Sequence, residues 1–307
     1  MHSTDTVVAP AVFPAPQINP NFRGVLIGGD PAHDYQDPHS SNILLDAGLE
    51  MTGQQSPNVL IIPSARWRSE TGVNNVSRRY LNYYGKVATA AVLHPFLYQP
   101  HNLKRPRLED LPIDLSRLPL SNEMSEKIEA ADLVFVLGAD TNRMLNQVWR
   151  PHGIVEMLAK AIERGVVMSG TSAGALVWFD GCLSDSSSLQ TSRDLTKPES
   201  YHYMKGLSYI SNSVAAPHYD SHSANQSRIS RKESFCKMMY KRRKLGELGL
   251  GIDNNAALEI VDGRASVVVG GRDGRRSVYA RHYRNGSLEK RVLTPRDASF
   301  TFAELVE

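Results

Sequence analysis

Short runs of Val, Ile, Leu and Ala recur along the chain, most of them spaced widely enough for a helix to fit between: VLIGG (25–29), NVLIIPS (58–64), KVATAAVLH (86–94), DLVFVLGA (132–139), GVVMSG (165–170) and NSVAAPH (212–218). Several are almost unbroken, and this constrains the fold more than any other feature. A strand with one face in water alternates polar and apolar residues. A strand apolar on both faces must be covered on both, as in parallel sheets flanked by helices. The intervening segments have helical character. In HGIVEMLAKAIERG, Ile154, Leu158 and Ile162 share a face and Gly165 supplies a stop. The expected fold is α/β, built on a doubly wound, mostly parallel sheet. Towards the C-terminus the pattern changes. LGLGIDNNAALEIVDGRASVVVGG reads as strands meeting at Asp262-Gly263, and SVYARHYRNGSLEKRVL repeats the idea at Asn285-Gly286, so an antiparallel hairpin appendage is expected there.

The 307 residues suffice for one large domain. We expect a single domain over residues 22–307, preceded by a flexible Pro- and Ala-rich tail at 1–21, with a Pro-rich surface excursion from Gln99 to Leu120. A formal net charge of +3 is slight for this length and points to neither a nucleic-acid nor a membrane partner. The first twenty residues have no basic region followed by a long apolar run, and no segment approaches the ~18 apolar residues of a membrane helix. A cytoplasmic location is the expectation. Two cysteines, Cys182 and Cys236, make no disulfide framework and are expected as free thiols.

The most informative string is GVVMSGTSAGALVWF (165–179). It holds G-x-S-x-G as Gly170-Thr171-Ser172-Ala173-Gly174, after an apolar strand and before a helical run. A sharp strand-to-helix turn lifts the serine hydroxyl clear of the sheet, small flanking residues let the two elements approach, and the Ala173 N–H faces any oxyanion formed there. A serine hydroxyl needs a base. Of His202, His218, His222 and His282, His218 is favoured because it ends an apolar strand and so reaches the sheet's carboxyl edge; His222 is its nearest rival. The third member lies in GIDNNAAL, as Asn254 or Asp253, with Asn254 preferred because alternation aims Asp253 the other way. Asp220 is set aside as too close to His218 in sequence. The order Ser, His, third residue is not that of α/β-hydrolases.

Other signals are weaker. Arg228 and Arg231, soon after His218, suit a substrate carboxylate. The five basic residues of KMMYKRRKLGE (237–247) read as a solvated helix end. His33, Asp34, Asp37 and His39 lack metal-ligand spacing, and no metal or cofactor is expected. Gly28-Gly29 is expected to shape the rim of the site.

On these residues the chain resembles the dipeptidase E and cyanophycinase family of serine peptidases, in its bacterial peptidase E-like branch. GTSAGA (170–175) is similar to the family's nucleophile segment, LGADTNRML (137–145) to its glycine-rich loop, APHYDSH (216–222) to its histidine segment and GIDNNAAL (251–258) to its third-residue segment. The resemblance covers most of the chain after residue 24. It implies a class I glutamine amidotransferase-like fold and metal-free hydrolysis of small peptides, including aspartyl and β-aspartyl linkages. Ser172 would be the nucleophile, His218 the base, and the Ala139 and Ala173 N–H groups the oxyanion hole, with Gly138 and Asp140 of the glycine-rich loop at the substrate. Where the family carries Glu or Asp, this chain has Asn254. An amide can orient a histidine but brings no charge, so a binding protein that has lost turnover is the alternative. A symmetric homodimer is the default assembly.

Overall fold

The computed structural model describes residues 14–29, 40–66, 77, 79–85, 89–92, 121–186, 201–221, 231–270, 276–284 and 286–307. In chain order the elements that position the site are β1 (Gly24–Ile27), α1 (Ser40–Thr52), β2 (Asn58–Ile62), β3 (Thr89–Val92), α2 (Ser121–Glu129), β4 (Leu133–Val136), a π-helical segment (Arg143–Trp149), α3 (Ile154–Glu163), β5 (Val167–Thr171) and α4 (Ala173–Leu176). They continue with β6 (Phe179–Ser184), β7 (His202–Lys205), β8 (Ile210–Ala216), α5 (Arg231–Arg242), β9 (Leu248–Ile252), β10 (Ala256–Val261), β11 (Arg264–Val269), β12 (Val278–Arg284) and β13 (Ser287–Leu293).

One sheet runs β11-β10-β1-β5-β4-β2-β3, and its β1, β5, β4, β2 and β3 are mutually parallel. The unbroken apolar runs are explained residue by residue. Val25, Ile27, Val59, Ile61, Leu133 and Phe135 face Leu44 and Leu45 of α1. Their neighbours Leu26, Leu60, Ile62, Val134 and Val136 face the other way, into a cluster holding Ile154, Leu158 and Ile162 of α3. Both faces are covered, as a doubly wound sheet requires.

The last apolar run does not join this sheet. β8 lies in a second sheet, β13-β12-β9-β8-β6-β7, parallel to β6 and β9. The first cluster continues into the inner face of that sheet through Phe179, Ala215, Leu250 and Ala280, and α5 covers its outer face with Phe235, Met238 and Met239. The C-terminal hairpins divide between the sheets. β10–β11, joined at Asp262-Gly263, adds to β1 antiparallel, and β12–β13 adds to β9. The helical run expected after Ser172 is only four residues of α4, because the chain re-enters a strand at Phe179.

The N-terminal segment read as tail is anchored over residues 14–21. Ile18 bridges Ile210, the Asn19 N–H donates to the Tyr209 carbonyl at 2.8 Å, and the Ser211 N–H donates to the Gln17 carbonyl at 2.8 Å. Residues 1–13 and the excursion at 99–120 lie outside the described residues. Both cysteines are free; Cys182 is buried, and burial pushes its thiol up to about 12. Among the described residues no helix is long and apolar enough to cross a membrane.

Candidate active site

β5 ends at Thr171, and the chain turns into α4 through Ser172, whose backbone sits at φ 51°, ψ −116°. A positive φ at a side-chain-bearing residue is strained, and such strain persists only where the surroundings hold it. Here the Ser172 N–H donates to the Ile27 carbonyl at 2.9 Å. A Cβ at Gly174 would stand 2.1 Å from the Val136 carbonyl oxygen, so the second glycine of the motif is required for α4 to seat on β4. His218 follows β8 with φ 49°, its N–H donating to the Gly28 carbonyl at 3.0 Å. The ends of β1, β5 and β8 are thereby tied together across the two sheets.

At this junction His218 Nε2 lies 3.0 Å from Ser172 Oγ, and His218 Nδ1 lies 2.6 Å from Asn254 Oδ1. Asn254 sits between β9 and β10, and its Nδ2 donates to Asp220 Oδ1 at 2.7 Å and to Ser221 Oγ at 2.6 Å. A carboxylate only accepts. The Asn254 oxygen therefore faces His218, Nδ1 carries the proton, and the Nε2 lone pair is left facing the serine hydroxyl. That is the tautomer a general base needs.

The remaining residues singled out from the sequence are distributed as follows. Asp253 turns away from His218 towards β12: its Oδ2 accepts the Ser277 N–H at 3.1 Å and its buried Oδ1 has no hydrogen-bond partner among the described residues. The 137–140 loop lies against the serine, since a Cβ on Gly138 would stand 2.7 Å from Ser172 Cβ, and the Gly138 N–H donates to Thr171 Oγ1 at 3.2 Å. Ala139 follows in that loop. The Ala173 N–H is the first of α4 and so has no acceptor inside that helix. Asp140 is buried; its Oδ1 accepts the Arg143 N–H at 2.9 Å, fastening the loop to the π-helical segment. Arg231 pairs with Asp185 at 2.8 Å and lies 5.2 Å from the Tyr201 ring centre. In the basic run, Arg242 makes two 2.6 Å bonds to Glu247 and Arg243 stacks on Tyr240. Arg228, His222, His33, Asp34, Asp37 and His39 lie outside the described residues.

Asp220 is the residue that sequence reasoning passed over. A turn after β8, closed by the Ser221 N–H on the His218 carbonyl at 2.9 Å, folds it beneath Asn254, where it also pairs with Arg276. The signal was its place in that turn, four residues past the end of β8 and two past His218.

Burial raises the Asp253 carboxyl to about 6, partly offset by the Ser277 N–H. Its folded pKa thus exceeds the ordinary ~3.9, the folded state binds the proton more tightly, and stability falls as pH rises from about 4 through 6. In Asp253→Asn this contribution is absent. The gap in unfolding free energy between the two proteins should shift by ~1–2 kcal/mol in the variant's favour between pH 4 and pH 7.5, read by urea titration. Parallel pH profiles would contradict the placement.

Comparison with known proteins bears on the family and the fold. The family model described as "Peptidase family S51" matches residues 89–268. A Bacillus subtilis (strain 168) protein named "Uncharacterized peptidase YgaJ" is 26% identical over 171 residues, which is 55% of this chain and 65% of that relative's length. Among solved structures, a peptidase from an acI-B1 Actinobacterium superposes with a TM-score of 0.58 at 18% identity, over 92% of this chain and 98% of that one. A peptidase E candidate from Listeria monocytogenes EGD-e superposes with a TM-score of 0.51 at 15% identity, over 81% and 98% of the two chains. At these identities the two structures speak to the fold, a parallel-rich α/β arrangement consistent with the class I glutamine amidotransferase type.

Proposed function

Because the chain belongs to peptidase family S51, we propose that it is a serine peptidase that cleaves small peptides through an acyl-enzyme on Ser172. The observation that carries this reading is the hydrogen-bonded line from Ser172 Oγ through His218 to Asn254, with the imidazole held in the tautomer that removes a proton from serine. In the proposed mechanism His218 Nε2 takes the hydroxyl proton as Oγ attacks the scissile carbonyl, and the Ala139 and Ala173 N–H groups receive the oxyanion. The imidazolium then protonates the leaving amine. Water, activated by the same histidine, hydrolyses the ester and frees the serine. The strained turn at Ser172 acts as a nucleophile elbow, holding Oγ off the sheet for in-line approach.

We extend the proposal to substrates with an acidic residue beside the scissile bond, of aspartyl or β-aspartyl type, with Arg231 as the first described cation after His218 in the chain. Asp185 already holds that guanidinium, so a substrate carboxylate must compete with it. A panel of Asp-Xaa, β-Asp-Xaa and Ala-Xaa dipeptides, followed by amine release, tests both levels. We expect hydrolysis, at least tenfold faster for the acidic peptides. Equal rates would remove the carboxylate preference. No release from any peptide, together with tight binding of one, would favour a binding protein.

A further inference from the structure

The serine peptidase reading leaves His218 backed by a neutral amide. Resting on that reading, we propose that Asp220 is a positioning residue: acting through Asn254, it fixes the working tautomer of His218 and supplies the negative charge that residue 254 lacks.

The geometry is a five-member line, Ser172–His218–Asn254–Asp220–Arg276. One oxygen of Asp220, Oδ1, accepts from both the backbone N–H of Asn254 at 2.9 Å and its Nδ2 at 2.7 Å. A single atom thus fixes the main chain and the side chain of residue 254 together. An asparagine amide has two unlike ends, and either one fits sterically against an imidazole. With the amide reversed, Oδ1 would face the Asp220 carboxylate, acceptor against acceptor. Nδ2 would then face His218, and only an unprotonated Nδ1 accepts from it, which moves the ring proton to Nε2 and turns it on the serine. Ser221 Oγ, the other partner of Nδ2, does not discriminate, because a hydroxyl both donates and accepts. Asp220 discriminates because it only accepts.

Charge follows the same route. A carboxylate bonded to the amide N–H polarises the amide, making its oxygen a stronger acceptor for the imidazole N–H. When His218 becomes imidazolium, the nearest fixed negative charge on this line is Asp220, one amide away. Arg276 holds the far oxygen of Asp220, keeping Oδ1 turned to Asn254. The acid of an ordinary triad is present here, displaced one residue outward.

The test combines a spectroscopic and a kinetic reading on the full chain. In ¹⁵N-labelled protein above the His218 titration, the wild type should show His218 protonated on Nδ1. Asp220→Asn should move the proton to Nε2 and lower kcat by about 10²- to 10⁴-fold, with KM changed less than about threefold, as holding the wrong tautomer does in other serine enzymes. Asn254→Asp alone sets two carboxylates within hydrogen-bond distance, which then share a proton, and is expected to gain nothing at neutral pH. The double variant Asp220→Asn/Asn254→Asp should recover to within about tenfold of wild type, since a carboxylate at 254 accepts with either oxygen and needs no orienting. Retention of the Nδ1 proton with turnover within threefold in Asp220→Asn overturns the proposal, as does a double variant no better than Asp220→Asn. If Asp220→Asn does not fold, the comparison of Asn254→Asp with the double variant decides: removing the carboxylate at 220 must raise turnover. If wild type cleaves no peptide, the serine peptidase reading fails on its own, and the tautomer measurement still decides the role of Asp220.

Discussion

Replacing Ser172 by Ala is expected to lower peptide turnover by ~10⁴-fold or more, and His218→Ala should do the same, with the double variant no worse than either single one. The non-additivity follows from the geometry. Oγ is a nucleophile only while His218 Nε2, 3.0 Å away, takes its proton, so removing either partner removes the same step. Neither change should unfold the chain. Ser172 is held in place by its backbone, through the Ile27 carbonyl, and the side chain adds one part-buried hydrogen bond worth about 1 kcal/mol. Steady-state rates on the best dipeptide, with thermal midpoints alongside, check both halves. Turnover that survives Ser172→Ala would place the chemistry elsewhere.

Gly138→Ala should reduce turnover by ~10²-fold or more and lower stability by ~1–3 kcal/mol. An added Cβ would meet the Thr171 carbonyl oxygen at 2.6 Å and Ser172 Cβ at 2.7 Å. Neither is the free end of a flexible side chain. The strain can be relieved only by moving the 137–140 loop or the turn that carries the nucleophile, and a shift of about 1 Å is enough to spoil attack geometry. Gly48→Ala, in α1, is the matched control. Its Cβ would find its nearest neighbours at 3.6–3.7 Å, ordinary contact, and alanine is the better helix former. That variant should fold at least as well as wild type and keep full activity. Equal activity in the two variants would show that the loop does not pack on the serine.

Much of this arrangement is legible in the sequence. The first sheet could be read because its strands are buried on both faces: Val25 and Leu26, adjacent in sequence, go to opposite clusters, so neither position can be polar. Ser172 and His218 could be read because each stands where an apolar strand ends. The sheet to which β8 belongs could not. Its residues satisfy a buried parallel strand in either sheet, and the choice rests on pairing with β6 and β9, both distant in sequence or weakly patterned. FDGCLS and HYMK, which became β6 and β7, are short and interrupted by Asp180, Gly181 and a lysine, and give little periodic signal. Asn254 was legible through a motif, but what it does depends on Asp220, and that contact exists only because the turn after His218 reverses the chain. Sequence proximity hid it: residues two apart along a strand point the same way, whereas across a tight turn the second can pass beneath a neighbour from another strand.

The central claim, that Ser172 is a nucleophile activated by His218, is tested most directly by a serine-directed fluorophosphonate followed by peptide mapping. The account predicts one covalent adduct on Ser172 in wild type, none in Ser172→Ala, and at least a hundredfold slower labelling in His218→Ala, because the hydroxyl then lacks its base. No adduct under conditions where a control serine peptidase reacts fully, or an adduct on another serine, would contradict it.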